Sequence, residues 1–391
     1  MKPVAKNLAL SALALSLGLA GLELVARQFG RREPACNAGA YIEHDVTLGW
    51  RLRPGASVDC AAGEYRVQVQ VSSQGLRDKE RMQQPEPGVT RLLALGDSFV
   101  EGMGVSESAA VTRQLEARLR ERGHRVEAIN GGTMGYSTDQ ELLFYERSGR
   151  RFAASLVVLF FYFNDVFGNA TTSSPLGRDV KPRFVEQDGS LVLTGVPVAR
   201  SPYRRGQDGP IVPLSRSALF AWVGSRLMSP LPRVYDALAQ VGLWNARPQT
   251  PPASAELAFL TEEPAQIRAG WTMTAALLRR LASDVRNDGA RFAIVYTPTR
   301  FEVGDTSWKR TLAFYGWTEP GADRHRVATR LAELAAANDT PFLDLTAALR
   351  AAEVGVLAPT YYRIDHHWTA RGHRVASDAV AGFLEAQRLV P

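Results

Sequence analysis

The apolar and polar positions divide the chain into three regions. Leu8 to Leu22 is apolar apart from serine and glycine, and the run resumes after Glu23 as far as Ala26. Tyr65 to Ser73 (YRVQVQVSS) alternates apolar and polar residues, the pattern of a half-buried strand. Residues 74–78 (QGLRD) read as a turn, and Pro85, Pro87 and Gly88 mark a boundary. From Arg91 onward, short apolar runs alternate with stretches of helical spacing. Strands are predicted at Arg91 to Leu95, Arg125 to Ile129, Ser155 to Phe163, Arg291 to Thr297 and Pro341 to Leu345. Helices are predicted at Ala110 to Arg120, Thr138 to Ser148, Trp271 to Asn287 and Arg324 to Ala337. Ser137 or Thr138 is expected to cap the second of these, with Glu141 near the capping-box position.

Strands alternating with helices predict a doubly wound α/β fold with a parallel sheet. Ser155 to Phe163 (SLVVLFFYF) is apolar almost throughout, as a central strand covered on both faces must be. The alternation breaks between Asp165 and about Glu262, where Pro, Gly and Ser are frequent and one helix is predicted at Ser217 to Met228. A structureless loop of that length does not suit a compact domain. We read about 166–262 as an inserted subdomain or lid. The expected organisation is therefore an N-terminal segment over 1–28, a small β-rich attachment over 29–88 with no chemistry of its own, and the main domain over 89–391.

Composition narrows the class. The 391 residues are 45% hydrophobic and 22% charged, which is globular rather than disordered. The formal charge is +6, but only five of the 46 basic residues are lysine and the arginines are interspersed with acids. No basic block with interleaved aromatics is present, so no nucleic-acid partner is expected. Lys2 and Lys6 precede the first apolar run, and Arg27, Arg31 and Arg32 follow it. That is the pattern of a secretory signal or a single-pass anchor, and we expect a retained anchor. The expected location is the inner membrane with the main domain in the periplasm; secretion after cleavage is the alternative. Cys36 and Cys60 then lie in an oxidising compartment, where they can pair as a disulfide. Their separation fits neither a zinc motif nor a CxxC pair.

The chemistry begins at Arg91 to Gly104 (RLLALGDSFVEGMG), where an apolar strand stops at Gly96-Asp97-Ser98. A buried strand ending in a glycine turn that offers a serine can hold a nucleophile still; it can equally be an ordinary turn. Asp97 reads as a residue that orders the turn. Three more polar stretches follow: residues 130–140 (NGGTMGYSTDQ), Phe163-Asn164-Asp165, and residues 364–372 (IDHHWTARG). The first three stretches each follow a predicted strand, and ligands of open α/β sheets bind at the carboxyl ends of the strands.

These four blocks, in this order, resemble the SGNH or GDSL hydrolases. The resemblance covers about residues 91–166 and 264–385, and LGWRLRP near residue 50 is similar to membrane-anchored members. It implies Ser98 as nucleophile, Gly135 and Asn164 as oxyanion donors together with the Ser98 N–H, and Asp365 with a histidine as the base pair. Many members space that last pair as Asp-x-x-His. Here Asp365 is followed directly by His366 and His367, and the Asp-x-His-Trp variant of polysaccharide O-acetyltransferase relatives points to His367, with His366 the alternative. His366, His367 and His373 lack the companions of a usual metal set, and neither metal nor cofactor is expected.

The implied activity is a serine esterase working through an acyl-serine on an ester-bearing carbohydrate or lipid of the cell envelope. An O-acyltransferase with the same triad is one alternative. A non-catalytic glycan-binding or assembly protein on the same fold is the other. Protein partners are not specified by the sequence.

Overall fold

The computed structural model describes residues 2–29, 38–173, 180–200, 217–227, 255–353 and 358–391, with isolated positions between 231 and 238. The chain divides into two compact units, one of Met1–Ala35 with Arg200–Gln249 and one of Cys36–Ala199 with Thr250–Pro391.

In the first unit, α1 (Lys2–Phe29) carries exposed leucines at 10, 13, 15, 17, 19, 22 and 24. Its Glu23 accepts hydrogen bonds from the Ser217 hydroxyl and from the N–H groups of Ala218 and Leu219. Those N–H groups open the helix Ala218–Leu227, whose first-turn donors have no partner within the helix. Among the described residues no helix is long and apolar enough to cross a membrane.

The second unit begins with two hairpins. β1 (Ile42–Asp45) pairs with β2 (Gly49–Leu52), and β3 (Ser57–Ala62) with β4 (Tyr65–Gln70), both antiparallel. These hairpins lie in the segment read as a small β-rich attachment over 29–88, of which residues 38–88 are described. Ile42, Trp50, Leu52, Val69 and Leu76 are buried in the same core as the main sheet. Cys60 is disulfide-bonded; Cys36, the chain's other cysteine, lies outside the described residues.

The main sheet comprises β5 (Thr90–Gly96), β6 (Val126–Asn130), β7 (Leu156–Tyr162), β10 (Arg291–Thr297) and β11 (Phe342–Asp344). Between β7 and β10 the hairpin of β8 (Arg183–Gln187) and β9 (Ser190–Thr194) forms a separate two-stranded sheet. The main sheet is parallel throughout, in the order β11-β10-β7-β5-β6. In chain order this is the 2-1-3-4-5 arrangement of flavodoxin-like folds, viewed from the other edge. Successive residues alternate between two cores. Leu92, Ala94, Val158 and Phe160 face one side with Leu115, Val380 and Leu384. Leu93, Leu95, Val157, Leu159 and Phe161 face the other with Leu277, Leu281 and Leu331. Helices Val111–Glu121 and Ala370–Ala386 cover the first side, and Thr138–Arg147, Ala265–Asn287 and Arg326–Ala337 the second. Coverage on both faces is what the continuous apolar strands require.

Two local expectations change. Ser137 is the N-cap of Thr138–Arg147, but its side chain makes no capping bond; its carbonyl accepts from the N–H groups of Gln140 and Glu141 instead. The capping box lies elsewhere, between Thr299 and Glu302. The insertion expected over 166–262 is divided between the units: β8 and β9 stay with the sheet, whereas Ala218–Leu227 groups with α1. Residues 174–179, 201–216 and most of 228–254 are outside the described set.

Candidate active site

The chain reverses direction across the sheet between β5 and β7, and there the loops at the carboxyl ends splay apart to leave a crevice. The registers bring the loops together. Gly96 pairs with Phe160, Ala94 with Asn130 and Thr297 with Tyr162. Ser98, Gly135 and Asn164 all follow these strand ends.

Ser98 opens the single helical turn Ser98–Glu101 and is almost fully buried. Asp97 caps that turn, accepting from the Phe99 N–H at 2.9 Å. Gly96 is required sterically: a Cβ there would lie 2.4 Å from Val100 Cγ2. The next block packs directly on the turn. Thr133 N–H donates to the Gly96 carbonyl at 3.1 Å, and a Cβ on Gly132 would lie 2.3 Å from the Glu101 nitrogen.

Asp365 and His367 come from a loop closed by the antiparallel bridge between Tyr361 and Trp368. His366 sits at the tip with φ +70°, a left-handed conformation that a histidine adopts more readily than most residues. That one residue folds the chain back. His367 Nδ1 lies 2.5 Å from Asp365 Oδ1, and His367 Nε2 lies 2.7 Å from Ser98 Oγ. The ring also packs on Phe99 at 4.9 Å. Trp368 is completely buried against Phe99 and His373 and anchors the loop. The choice between the two histidines is thus geometric: His367 joins Ser98 to Asp365, while His366 is exposed. His373 is buried, and burial lowers its pKa to about 3, which keeps it neutral.

Burial raises the proton affinity of Asp365, but the His367 ring and the Tyr65 hydroxyl outweigh it and hold the carboxyl below its usual range. An ionised Asp365 fixes the His367 tautomer with Nδ1–H toward the carboxylate and Nε2 free to accept.

Gly135 stands in the turn after β6 with φ +77°, a conformation that favours glycine. Asn164 is the first residue of the turn Asn164–Gly168. Among the described residues, the N–H groups of Ser98 and Gly135 make no hydrogen bond within the chain, and the buried Oδ1 of Asn164 has no partner. The two N–H groups are free to donate to a ligand, as the donors of an oxyanion site must be.

Buried acids lie around this turn. Burial pushes Asp97 up to about 6, against the opposing pull of the Phe99 N–H and the His367 ring. Burial likewise raises Glu141 and Asp165 well above their ordinary values, with the charges of Asp97 and Asp139 adding to both and that of Asp165 adding to Glu141. Asp139 is paired with the buried Lys181.

The N-terminal hairpins contribute contacts that sequence reasoning missed. The Trp50 indole donates to the Met134 carbonyl at 2.9 Å, and the Tyr136 hydroxyl donates to the Trp50 carbonyl at 2.7 Å, so β2 props the Gly135 turn. The buried Arg77 donates to the carbonyls of Glu101, Gly102 and Val105, behind the nucleophile. Tyr65 donates to Asp365 Oδ2 at 3.1 Å, and Glu64 accepts from the N–H groups of residues 363–365. The sequence placed Tyr65 in an alternating strand, Arg77 in a turn and Trp50 within LGWRLRP, but none of these patterns marked a contact with the site.

Together, fold and site place a serine, a histidine and an aspartate in one hydrogen-bonded series at the carboxyl edge of a parallel α/β sheet. Residues 258–391, about a third of the chain, match the family model described as "SGNH hydrolase-like domain, acetyltransferase AlgX". Asp365 and His367 fall inside the matched stretch, and Ser98, Gly135 and Asn164 precede it. No curated protein matches the chain. Among solved structures it is similar to a putative lipolytic protein of the G-D-S-L family from Desulfitobacterium hafniense (10% identity, 75% of this chain and 99% of that one, TM-score 0.37). An acetylxylan esterase from Geobacillus stearothermophilus gives 14% identity, 75% and 94% coverage and a TM-score of 0.37. A GDSL-like lipase from Bacteroides thetaiotaomicron gives 12%, 76%, 89% and 0.35. Scores this low decide nothing about the chain.

Two outcomes test the site. His367→Ala should slow covalent labelling of Ser98 by a fluorophosphonate about a thousandfold, while His366→Ala stays within about threefold of wild type; equal loss in both would reject the assignment. For Asp97, the raised folded pKa means that the native state binds the proton more tightly than the unfolded chain. Its burial therefore costs stability as pH rises from the ordinary value of 3.8 through about 6. Asp97→Asn should flatten denaturant-measured stability across that window; an unchanged slope would show that Asp97 does not titrate there.

Proposed function

We propose that this protein transfers acyl groups through an acyl-serine at Ser98 and that its activity is ester hydrolysis on an acylated envelope carbohydrate or lipid. The observation that carries this reading is the continuous chain Asp365–His367–Ser98, at 2.5 and 2.7 Å. A serine hydroxyl is a poor nucleophile at neutral pH until a base takes its proton during attack. His367 Nε2 accepts that proton as Ser98 Oγ bonds to the ester carbon. Asp365 stabilises the resulting imidazolium. The carbonyl oxygen becomes an oxyanion facing the N–H groups of Ser98 and Gly135 and the Asn164 amide, each donor contributing about 3–4 kcal/mol to the barrier reduction. Collapse expels the alcohol, which takes the proton from His367 and leaves acyl-Ser98. Water, activated by the same imidazole, completes the hydrolysis.

A second reading replaces water with a sugar hydroxyl and makes the protein an O-acyltransferase. It is favoured by the family description over residues 258–391, which names an acetyltransferase. The two share every step up to the acyl-enzyme. With a chromogenic acetyl ester, wild type should accumulate an acetyl group on the Ser98 peptide in the mass spectrum, and Ser98→Ala should not. Full activity in Ser98→Ala would sink both readings. Free acetate as the main product in the presence of added oligosaccharide supports the esterase, and acetylated oligosaccharide supports the transferase.

We further infer that α1 holds the protein at a membrane with the site on the periplasmic side. Its exposed leucines and its basic residues near both ends support this, because long basic side chains can reach the interface from a short span. The disulfide at Cys60 suits an oxidising compartment. Wild type should sediment with membranes after alkaline carbonate washing, and a Leu13→Arg, Leu17→Arg variant should be released. Release of the wild type would refute the anchor.

A further inference from the structure

We propose that Glu64 and Tyr65, at the tip of the β3–β4 hairpin, are positioning residues that set the Asp365–His367 pair for proton transfer. This rests on the acyl-serine reading above, but it concerns residues remote in sequence from every motif that suggested that reading.

The first observation concerns the loop backbone. Residues 363–365 form the outer limb of the catalytic loop, beyond the bridge between Tyr361 and Trp368. Their N–H groups have no strand to pair with. Glu64 accepts all three: Arg363 N–H on Oε1 at 2.7 Å, and Ile364 and Asp365 N–H on Oε2 at 2.7 and 3.0 Å. A carboxylate accepting from three backbone donors forms charge-assisted bonds, stronger than those to a neutral acceptor. This fixes the Asp365 backbone one residue before the left-handed His366, which aims the imidazole.

The second observation concerns the Asp365 side chain. One oxygen faces His367 and the other accepts from Tyr65 at 3.1 Å. With both oxygens engaged, the carboxylate cannot rotate without losing a bond. Tyr65 is itself held in place. Its ring packs on Tyr362 at 5.1 Å, and the Tyr362 hydroxyl donates to the Gly104 carbonyl at 2.8 Å. Gly104 leaves room for this arrangement: a Cβ there would lie 2.8 Å from the Tyr362 ring and 3.2 Å from the Tyr65 ring. Nucleophile loop, hairpin and catalytic loop therefore meet at one point.

Third, the groups have the required protonation states. Burial, followed by the Asp365 charge, raises the Tyr65 phenol above its ordinary value, so it remains a donor. The three N–H bonds outweigh burial at Glu64 and hold its pKa below the model-compound value. Glu64 is a constant acceptor at neutral pH, not a switch.

Tyr65→Phe keeps the ring and deletes the donor. Its kcat for a chromogenic acetyl ester should fall about tenfold, with KM within about twofold of wild type. The acidic limb of its kcat/KM profile should also move to higher pH. Without Tyr65, Asp365 is a stronger acceptor toward His367 and favours the protonated ring, which cannot serve as base. Glu64→Gln retains one acceptor oxygen, so its kcat should lie between those of wild type and Glu64→Ala. Loss of packing alone would not move the pH limb or produce that order. Amide exchange across residues 363–365, read by mass spectrometry, should accelerate in Glu64→Ala with the rest of the fold protected as in wild type. Wild-type kcat and pH limb in Tyr65→Phe, or wild-type exchange in Glu64→Ala, would overturn the proposal. A wild-type protein that neither hydrolyses the ester nor labels at Ser98 would overturn the acyl-serine reading instead, and the exchange measurement would still test the clamp.

Discussion

The site depends first on the ladder between Thr90–Gly96 and Leu156–Tyr162. Both strands are buried on both faces, so their register is fixed by two cores at once. A slip of one residue would send Leu93 and Leu95 to the side that now receives Leu92 and Ala94, and would misplace both strand ends. Pairing Gly96 with Phe160 sets Ser98 and Asn164 beside each other at the carboxyl edge. The hydrophobic effect therefore does the positioning, and the polar residues occupy places already determined by apolar ones.

The base is held by different means. Asp365 and His367 lie on a loop, where no ladder constrains them. The loop is fixed from below by the buried Trp368, at its tip by the left-handed His366, and from outside by the 38–88 segment. That segment reaches each part of the site: Trp50 supports the Gly135 turn, Arg77 the nucleophile loop, and Tyr65 with Glu64 the catalytic aspartate. Catalytic geometry tolerates errors of only a fraction of an ångström. A loop-borne base therefore needs this kind of external support more than a strand-borne nucleophile does.

This difference also determines what could be read from the chain. Strands Thr90–Gly96 and Leu156–Tyr162 were legible because burial on both faces leaves a nearly continuous apolar run, and Ser98 and Asn164 were legible because each follows such a run; Val126–Asn130 and Phe342–Asp344, less completely buried, gave a shorter signal. Asp365 and His367 were legible as a local motif, although DHHW by itself does not choose between the histidines; the φ of His366 does. Tyr65 was visible only as one apolar position in an alternating strand. Its bond to Asp365 crosses 300 residues, and a hydrogen bond of that range leaves no periodicity. The capping box was misplaced for a related reason. Thr138 and Glu141 have the i, i+3 spacing of a capping box, but the helix begins one residue earlier, with Ser137 as N-cap, so Glu141 falls one position too far along; Thr299 is itself the N-cap and Glu302 its N3 residue.

The acids around the site are divided by charge in a way that suits the chemistry. On the imidazole side, Asp365 and Glu64 are held ionised by the bonds they accept. Around the nucleophile turn, Glu141 and Asp165 are pushed by burial toward their neutral forms. Two unit charges 4 Å apart interact by about 4 kcal/mol at an effective dielectric constant near 20, comparable to the gain from one oxyanion donor. An ionised carboxylate near the oxyanion would therefore cancel a donor, while one beside the imidazolium adds stabilisation. On the acyl-serine mechanism proposed above, the positive charge that develops on His367 faces the carboxylate of Asp365, which the His367 ring and the Tyr65 hydroxyl keep ionised against the cost of burial.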